Sequence, residues 1–112
     1  MKRLMLFLTA GAMVLSAGCG KKSKHTITVK GSDTMVILAQ RWAETYMHHN
    51  PGVTVQVTGG GSGTGIAALI NGATDICQAS RPMKDKEKGQ VKAKWKKEAQ
   101  ETPVALDGLA IF

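Results

Sequence analysis

Along the chain the hydrophobic positions change period several times, and each change marks an element. From Thr26 to Lys30 apolar and polar residues alternate and β-branched residues dominate, which predicts a first strand. Gly31-Ser32-Asp33-Thr34 follows as a turn able to cap a helix. Apolar residues at 35, 38, 39, 42, 43, 46 and 47 then keep helical spacing, so a helix is expected from Met35 to about Met47. His48-His49-Asn50-Pro51-Gly52 ends it. Val53, Val55 and Val57 alternate with Thr54, Gln56 and Thr58 in a second strand. A glycine-rich turn leads into a short helix from about Gly65 to Ile70, stopped by Asn71-Gly72. The apolar run from Asp75 to Ala79 suits a buried third strand, closed by Ser80-Arg81-Pro82.

Beyond Pro82 the pattern weakens. Lys84 to about Gln100 reads as a charged helix whose few apolar residues are Val91, Ala93 and Trp95, with Gly89 as a weak point. Thr102 to Leu106 and Leu109 to Phe112 read as strand, separated by Asp107-Gly108. Strands alternating with helices predict an α/β unit with a mostly parallel sheet and right-handed connections. No internal repeat and no catalytic cluster stands out. Ala110-Ile111-Phe112 lies within an apolar strand pattern, so the sequence reads as truncated.

The N-terminus follows a different logic. Met1-Lys2-Arg3 is a basic start, and Leu4 to Ala17 is an apolar segment too short to span a membrane comfortably, which fits an export signal over residues 1–18. Leu15-Ser16-Ala17-Gly18-Cys19 resembles the lipobox of bacterial lipoproteins, and that resemblance implies a lipid-modified Cys19. Two acyl chains on Cys19 would suffice for stable membrane anchoring, and residues 19–25 then form a polar tether. A plain secretory signal with an incidental cysteine is the alternative. With Cys19 lipidated, Cys77 has no partner and reads as a small buried hydrophobe, so neither a disulfide nor a metal site is expected. The adjacent histidines project from different sides of a helix and make a poor metal pair.

Charge adds one exclusion. Across 112 residues, Lys+Arg 15 against Asp+Glu 8 gives a formal net charge of +7, and removal of Lys2 and Arg3 leaves +5. Much of the excess lies between Lys84 and Lys97, as expected of a solvated helix face. Aromatic content is only 4%, so the stacking platform of a nucleic-acid-binding protein is missing.

The candidate chemistry sits in the turns. Thr58-Gly59-Gly60-Gly61-Ser62-Gly63-Thr64-Gly65-Ile66 passes from strand through glycines into a helix start. Glycine lets another group approach the backbone closely, and a helix's first turn presents unpaired N–H groups and partial positive charge to an oxyanion. Ser62 and Thr64 add hydroxyls. In an open α/β sheet ligands sit beyond the carboxyl ends of the strands. Three turns leave such ends here: Gly31 to Thr34, Gly59 to Gly65, and Ser80-Arg81. Together they could offer N–H groups, hydroxyls and a guanidinium to one tetrahedral anion.

The same residues, in the same order and leading through Asp75-Ile76, resemble the phosphate-binding protein of the bacterial phosphate ABC importer, from about Thr26 to Phe112. The resemblance implies a periplasmic-binding-protein-like (class II) lobe with its second lobe missing, residues 26–112 forming the N-terminal part of the first. It also implies a non-enzymatic, lipid-anchored, extracytoplasmic protein without a cofactor, which delivers inorganic phosphate to an ABC permease and its ATPase. It implies phosphate-binding roles for Thr34, Met35, Ser62 and Arg81, and Ser32, Gly63 and Thr64 of the same turns complete the candidate phosphate-binding set. Arg81 falls where some members carry an aspartate that accepts the ligand's proton and others an arginine, and Asp33 is either a substitute acceptor or a helix cap. The family's second arginine-serine-glycine-threonine cluster is absent from the sequence. Three alternatives stay open: another oxyanion such as sulfate, molybdate or an organic phosphate, a nucleotide-binding enzyme fragment, and a lipoprotein that adheres to surfaces through its lysine run. Against the nucleotide reading, the glycine turn lacks the lysine of a phosphate-binding NTPase loop, and Gly63-Thr64-Gly65-Ile66-Ala67-Ala68 matches only the loose Gly-x-Gly-x-x-Ala pattern.

Overall fold

Alternation of β-branched residues gives the sheet its centre. A computed structural model describes residues 25–108, and within them β1 (His25–Gly31) pairs in parallel with β2 (Val53–Thr58) on one side and β3 (Ile76–Gln78) on the other. The order β2-β1-β3 brings all three carboxyl ends to one edge. Register runs from His25 opposite Val53 to Lys30 opposite Thr58, and from Val29 opposite Ile76 to Gly31 opposite Gln78. Asp75 fixes the second register, because its Oδ2 accepts the Thr28 N–H (2.8 Å) and hydroxyl (2.7 Å). Those hydrogen bonds hold the Asp75 carboxyl below the usual carboxylate range.

Helices fill the crossovers that parallel strands require. A 3₁₀ turn over Asp33–Met35 leads into α1 (Val36–His49), which packs on β2. The expected helix from Met35 to Met47 therefore starts one residue later and ends two later. Asn50 closes it, with N–H and Nδ2 both donating to the Tyr46 carbonyl at 2.9 and 2.8 Å. His48 and His49 are exposed at that end, away from the edge where the strands finish.

The second helix, α2 (Ser62–Asn71), packs on β1 and β3. It begins at Ser62 rather than Gly65, so part of the glycine run is helical. Gly65 explains the early start. A Cβ there would lie 2.5 Å from Gly31 Cα and 2.5 Å from the Lys30 carbonyl oxygen, so only glycine lets α2 lie this close to β1. Ile66, 2% exposed, anchors the core with Met83 and Val91, and Ile70, Cys77 and Ala99 pack around them.

Four further expectations need correction. The third strand is shorter than Asp75 to Ala79, and it is not buried throughout: Ile76 is half exposed and only Gln78 is buried. Cys77 is half-buried rather than fully so, and its partial burial raises its thiol pKa. The charged helix, α3 (Asp85–Trp95), stops before Gln100 because Lys96 takes a left-handed conformation (φ 54°). No strand forms over Thr102 to Leu106, where Val104 and Leu106 are exposed. A strand needs a partner for its backbone, and this segment has none among the described residues; the chain just before it is held to α3 by side chains, Glu98 to Lys92 (3.0 Å) and Glu101 to Lys88 (2.8 Å). The export signal, Cys19 and the tether through Lys24 lie outside the described residues, as does the strand expected over Leu109 to Phe112.

Candidate functional site

Because β1 is flanked on both sides, the chain leaves it first toward β2 and later reaches β3. That is the strand-order reversal where open α/β sheets bind ligands. Three turns meet at this edge, and hydrogen bonds tie each to the next.

The turn after β1 extends the ladder by one residue, since the Ser32 N–H donates to the Gln78 carbonyl at 2.8 Å. Ser32 is buried, and its hydroxyl lies 2.9 Å from that of Thr34, which is exposed. Neither Ser32 nor Asp33 caps the helix through its side chain. Asp33 reaches across to the second turn, where its Oδ1 accepts the Gly60 N–H at 2.9 Å and packs on Gly59. The Met35 N–H is used within the 3₁₀ turn, donating to the Ser32 carbonyl at 3.2 Å.

The turn after β2 is Gly59-Gly60-Gly61, and Gly61 (φ 92°) precedes the first residue of α2 in a conformation that disfavours other residues. Its N–H donates to the Gly31 carbonyl at 2.9 Å, joining the first two turns again. The Gly65 N–H makes the helix's first bond, to the Gly61 carbonyl, so the N–H groups of Ser62, Gly63 and Thr64 have no intrahelical partner. They sit at the positive end of the helix dipole.

The turn after β3 docks on α2. Ser62 Oγ accepts the Ser80 N–H at 3.1 Å and lies 3.1 Å from Ser80 Oγ. Arg81 is turned toward α3, where Nη1 and Nη2 grip the Glu87 carboxylate at 3.0 and 2.8 Å and Nη1 also reaches the Pro82 carbonyl. Three of its five N–H groups are thus used, leaving Nε–H and one Nη2–H. Glu87 also accepts the Lys84 N–H at 2.8 Å, closing the start of α3 as in half a capping box. The Arg81 guanidinium, and after it the Lys84 N–H, lowers the Glu87 pKa to about 2, while Glu87 raises that of Arg81.

The edge therefore gathers Ser32, Thr34, Ser62, Gly63 and Thr64 on connected turns, with Met35 engaged internally and Arg81 committed in part to Glu87. Ser80, offered by the sequence only as part of the third turn, is the residue that docks on Ser62. Sequence reasoning missed two contributors. Glu87 is one, and it stood three residues into the expected helix. The other is Gln78, the lone polar side chain between Ile76 and Ala79: it is 6% exposed, and its Nε2 donates to the carbonyls of Ser32 (3.2 Å) and Thr58 (3.4 Å).

Residues 19–112 match the model of a PBP superfamily domain. Phosphate-binding protein PstS of Pseudomonas aeruginosa is 40% identical over 82 residues, which are 73% of this chain and 25% of that protein. The PstS of Staphylococcus saprophyticus is 34% identical across 99% of this chain and 37% of its own length. Among solved structures, a phosphate-binding protein of a Streptococcus pneumoniae phosphate ABC transporter superposes with a TM-score of 0.56 at 34% identity, covering 58% of this chain and 25% of that one. The chain thus spans between a quarter and about two fifths of the length of these relatives.

Proposed function

This chain belongs to the PBP superfamily, as a PstS-like N-terminal part with a periplasmic-binding-protein-like α/β fold, and on that premise we propose that it binds inorganic phosphate outside the cytoplasm for an ABC importer. One observation carries the reading. Three turns from three parallel strands, cross-tied by Asp33–Gly60, Gly61–Gly31 and Ser62–Ser80 hydrogen bonds, gather hydroxyls and the unpaired N–H groups of α2 at one sheet edge. That donor-rich surface suits a tetrahedral oxyanion. Arg81 adds a permanent cation beside Ser80, and its Nε–H and second Nη2–H are available to a ligand oxygen.

In this role the protein captures and releases its ligand unchanged, so no catalytic group is required. Cys19 carries the lipid, and residues 19–25 tether the lobe to the membrane face. Isothermal titration of the 112-residue chain with inorganic phosphate is the test, with sulfate, ATP and NAD as competitors. Saturable phosphate binding that ATP and NAD do not displace supports the reading. Micromolar affinity for either nucleotide, or no phosphate heat at millimolar concentration, overturns it. For the anchor, Cys19→Ser should move the protein from the membrane fraction to the soluble one; retention in the membrane overturns lipidation.

A further inference from the structure

A buried glutamine at the end of a parallel strand needs a reason. We propose that Gln78 is a positioning residue of the anion site, acting through the backbone of the two turns that flank it; this rests on the oxyanion reading above. Its amide spans all three strand ends. Nε2 donates to Ser32 O after β1 and to Thr58 O at the end of β2, and the backbone carbonyl of Gln78 accepts the Ser32 N–H. The orientation of the amide is dictated by chemistry, since two carbonyl acceptors can be served only by the NH₂ group.

Two consequences follow from this arrangement. The carbonyls of Ser32 and Thr58 are bonded to a buried amide, so their negative ends are satisfied inside the fold and do not compete with an anion at the edge. The turns that begin at those carbonyls, Ser32 to Met35 and Gly59 to Gly61, are also held at fixed separation. The cost is visible. Gln78 Oε1 is buried with no hydrogen-bond partner, and leaving an acceptor unpaired is unfavourable. A methionine of similar volume would avoid that penalty, so the glutamine is better explained by what its NH₂ holds than by core stability.

Gln78→Met separates the possibilities, with phosphate titration, thermal midpoint and ligand-free amide exchange measured on the 112-residue chain. Positioning predicts phosphate binding weaker by about tenfold, the scale of one lost hydrogen bond, with a thermal midpoint unchanged or raised. It also predicts faster exchange at Met35, Gly60 and Gly61 without phosphate, while amides in the middle of α2 are unchanged. A lowered midpoint or an unfolded variant, with wild-type affinity in whatever remains folded, would mean a purely structural glutamine and overturn the proposal. So would unchanged affinity and exchange. If the wild-type chain itself fails to bind phosphate, the functional reading falls, and exchange at the three turn amides alone decides whether Gln78 organises the edge.

Discussion

Arg81 and Glu87 decide how much positive charge the edge can offer an anion. A bidentate carboxylate neutralises the guanidinium locally, so their effects should be opposite in sign. Arg81→Ala should weaken phosphate binding by about tenfold to a hundredfold, the range for a charged hydrogen bond; unchanged affinity would remove Arg81 from the site. Glu87→Gln leaves the arginine unneutralised, and phosphate titration at low salt should then show a few-fold tighter binding that fades as salt is added. Stability carries a linked signature. Glu87 titrates at about 2 in the folded chain, below its ordinary 4.5, so its pairing stabilises the fold above pH 4.5 and that contribution is lost as pH falls toward 2. Urea midpoints of wild type and Arg81→Ala should accordingly differ most at neutral pH and converge toward pH 2. Little of this was legible in the sequence. Ser62, Thr64 and Arg81 announce donors by residue type, but the partner that occupies Arg81 lies six positions on, across a turn whose path only the fold determines.

At the level of elements, local period was a good guide wherever an element also had a packing partner. Val53 to Thr58 and Thr26 to Lys30 alternate as paired strands do, and both paired as expected. Thr102 to Leu106 has strand-like composition but no strand beside it among the described residues, and composition alone cannot supply one. The start of α2 was misplaced for the converse reason: glycine is a poor helix former, costing about 1 kcal/mol relative to alanine, yet Gly63 and Gly65 are helical because Gly65 allows contact with β1. Two glycine substitutions separate propensity from packing. Gly89→Ala, in α3 with open space at its Cβ, should raise stability by about 0.5–1 kcal/mol in urea unfolding. Gly65→Ala gains the same propensity but drives a methyl into the backbone of Lys30 and Gly31, an overpacking cost of about 1–3 kcal/mol. A net loss is expected, and a net gain would mean that α2 can move off β1 freely.

For the whole molecule the open issue is selectivity, because a ring of donors binds phosphate and sulfate alike. Phosphate near neutral pH still carries a proton and sulfate does not, so discrimination requires an acceptor facing the ligand. Two carboxylates border the three turns, Asp33 and Glu87. Both Glu87 oxygens are engaged by Arg81, and one is shared with the Lys84 N–H. Asp33 gives Oδ1 to Gly60, so its Oδ2 is the better placed acceptor. Competition titration should therefore show phosphate preferred over sulfate by no more than about tenfold, one hydrogen bond's worth. Asp33→Asn keeps an oxygen for the Gly60 N–H but puts an NH₂ where Oδ2 stood. It should retain anion binding while the phosphate-to-sulfate ratio falls to about one or below. A ratio unchanged by that substitution would place the proton acceptor elsewhere and reduce Asp33 to a strap between two turns.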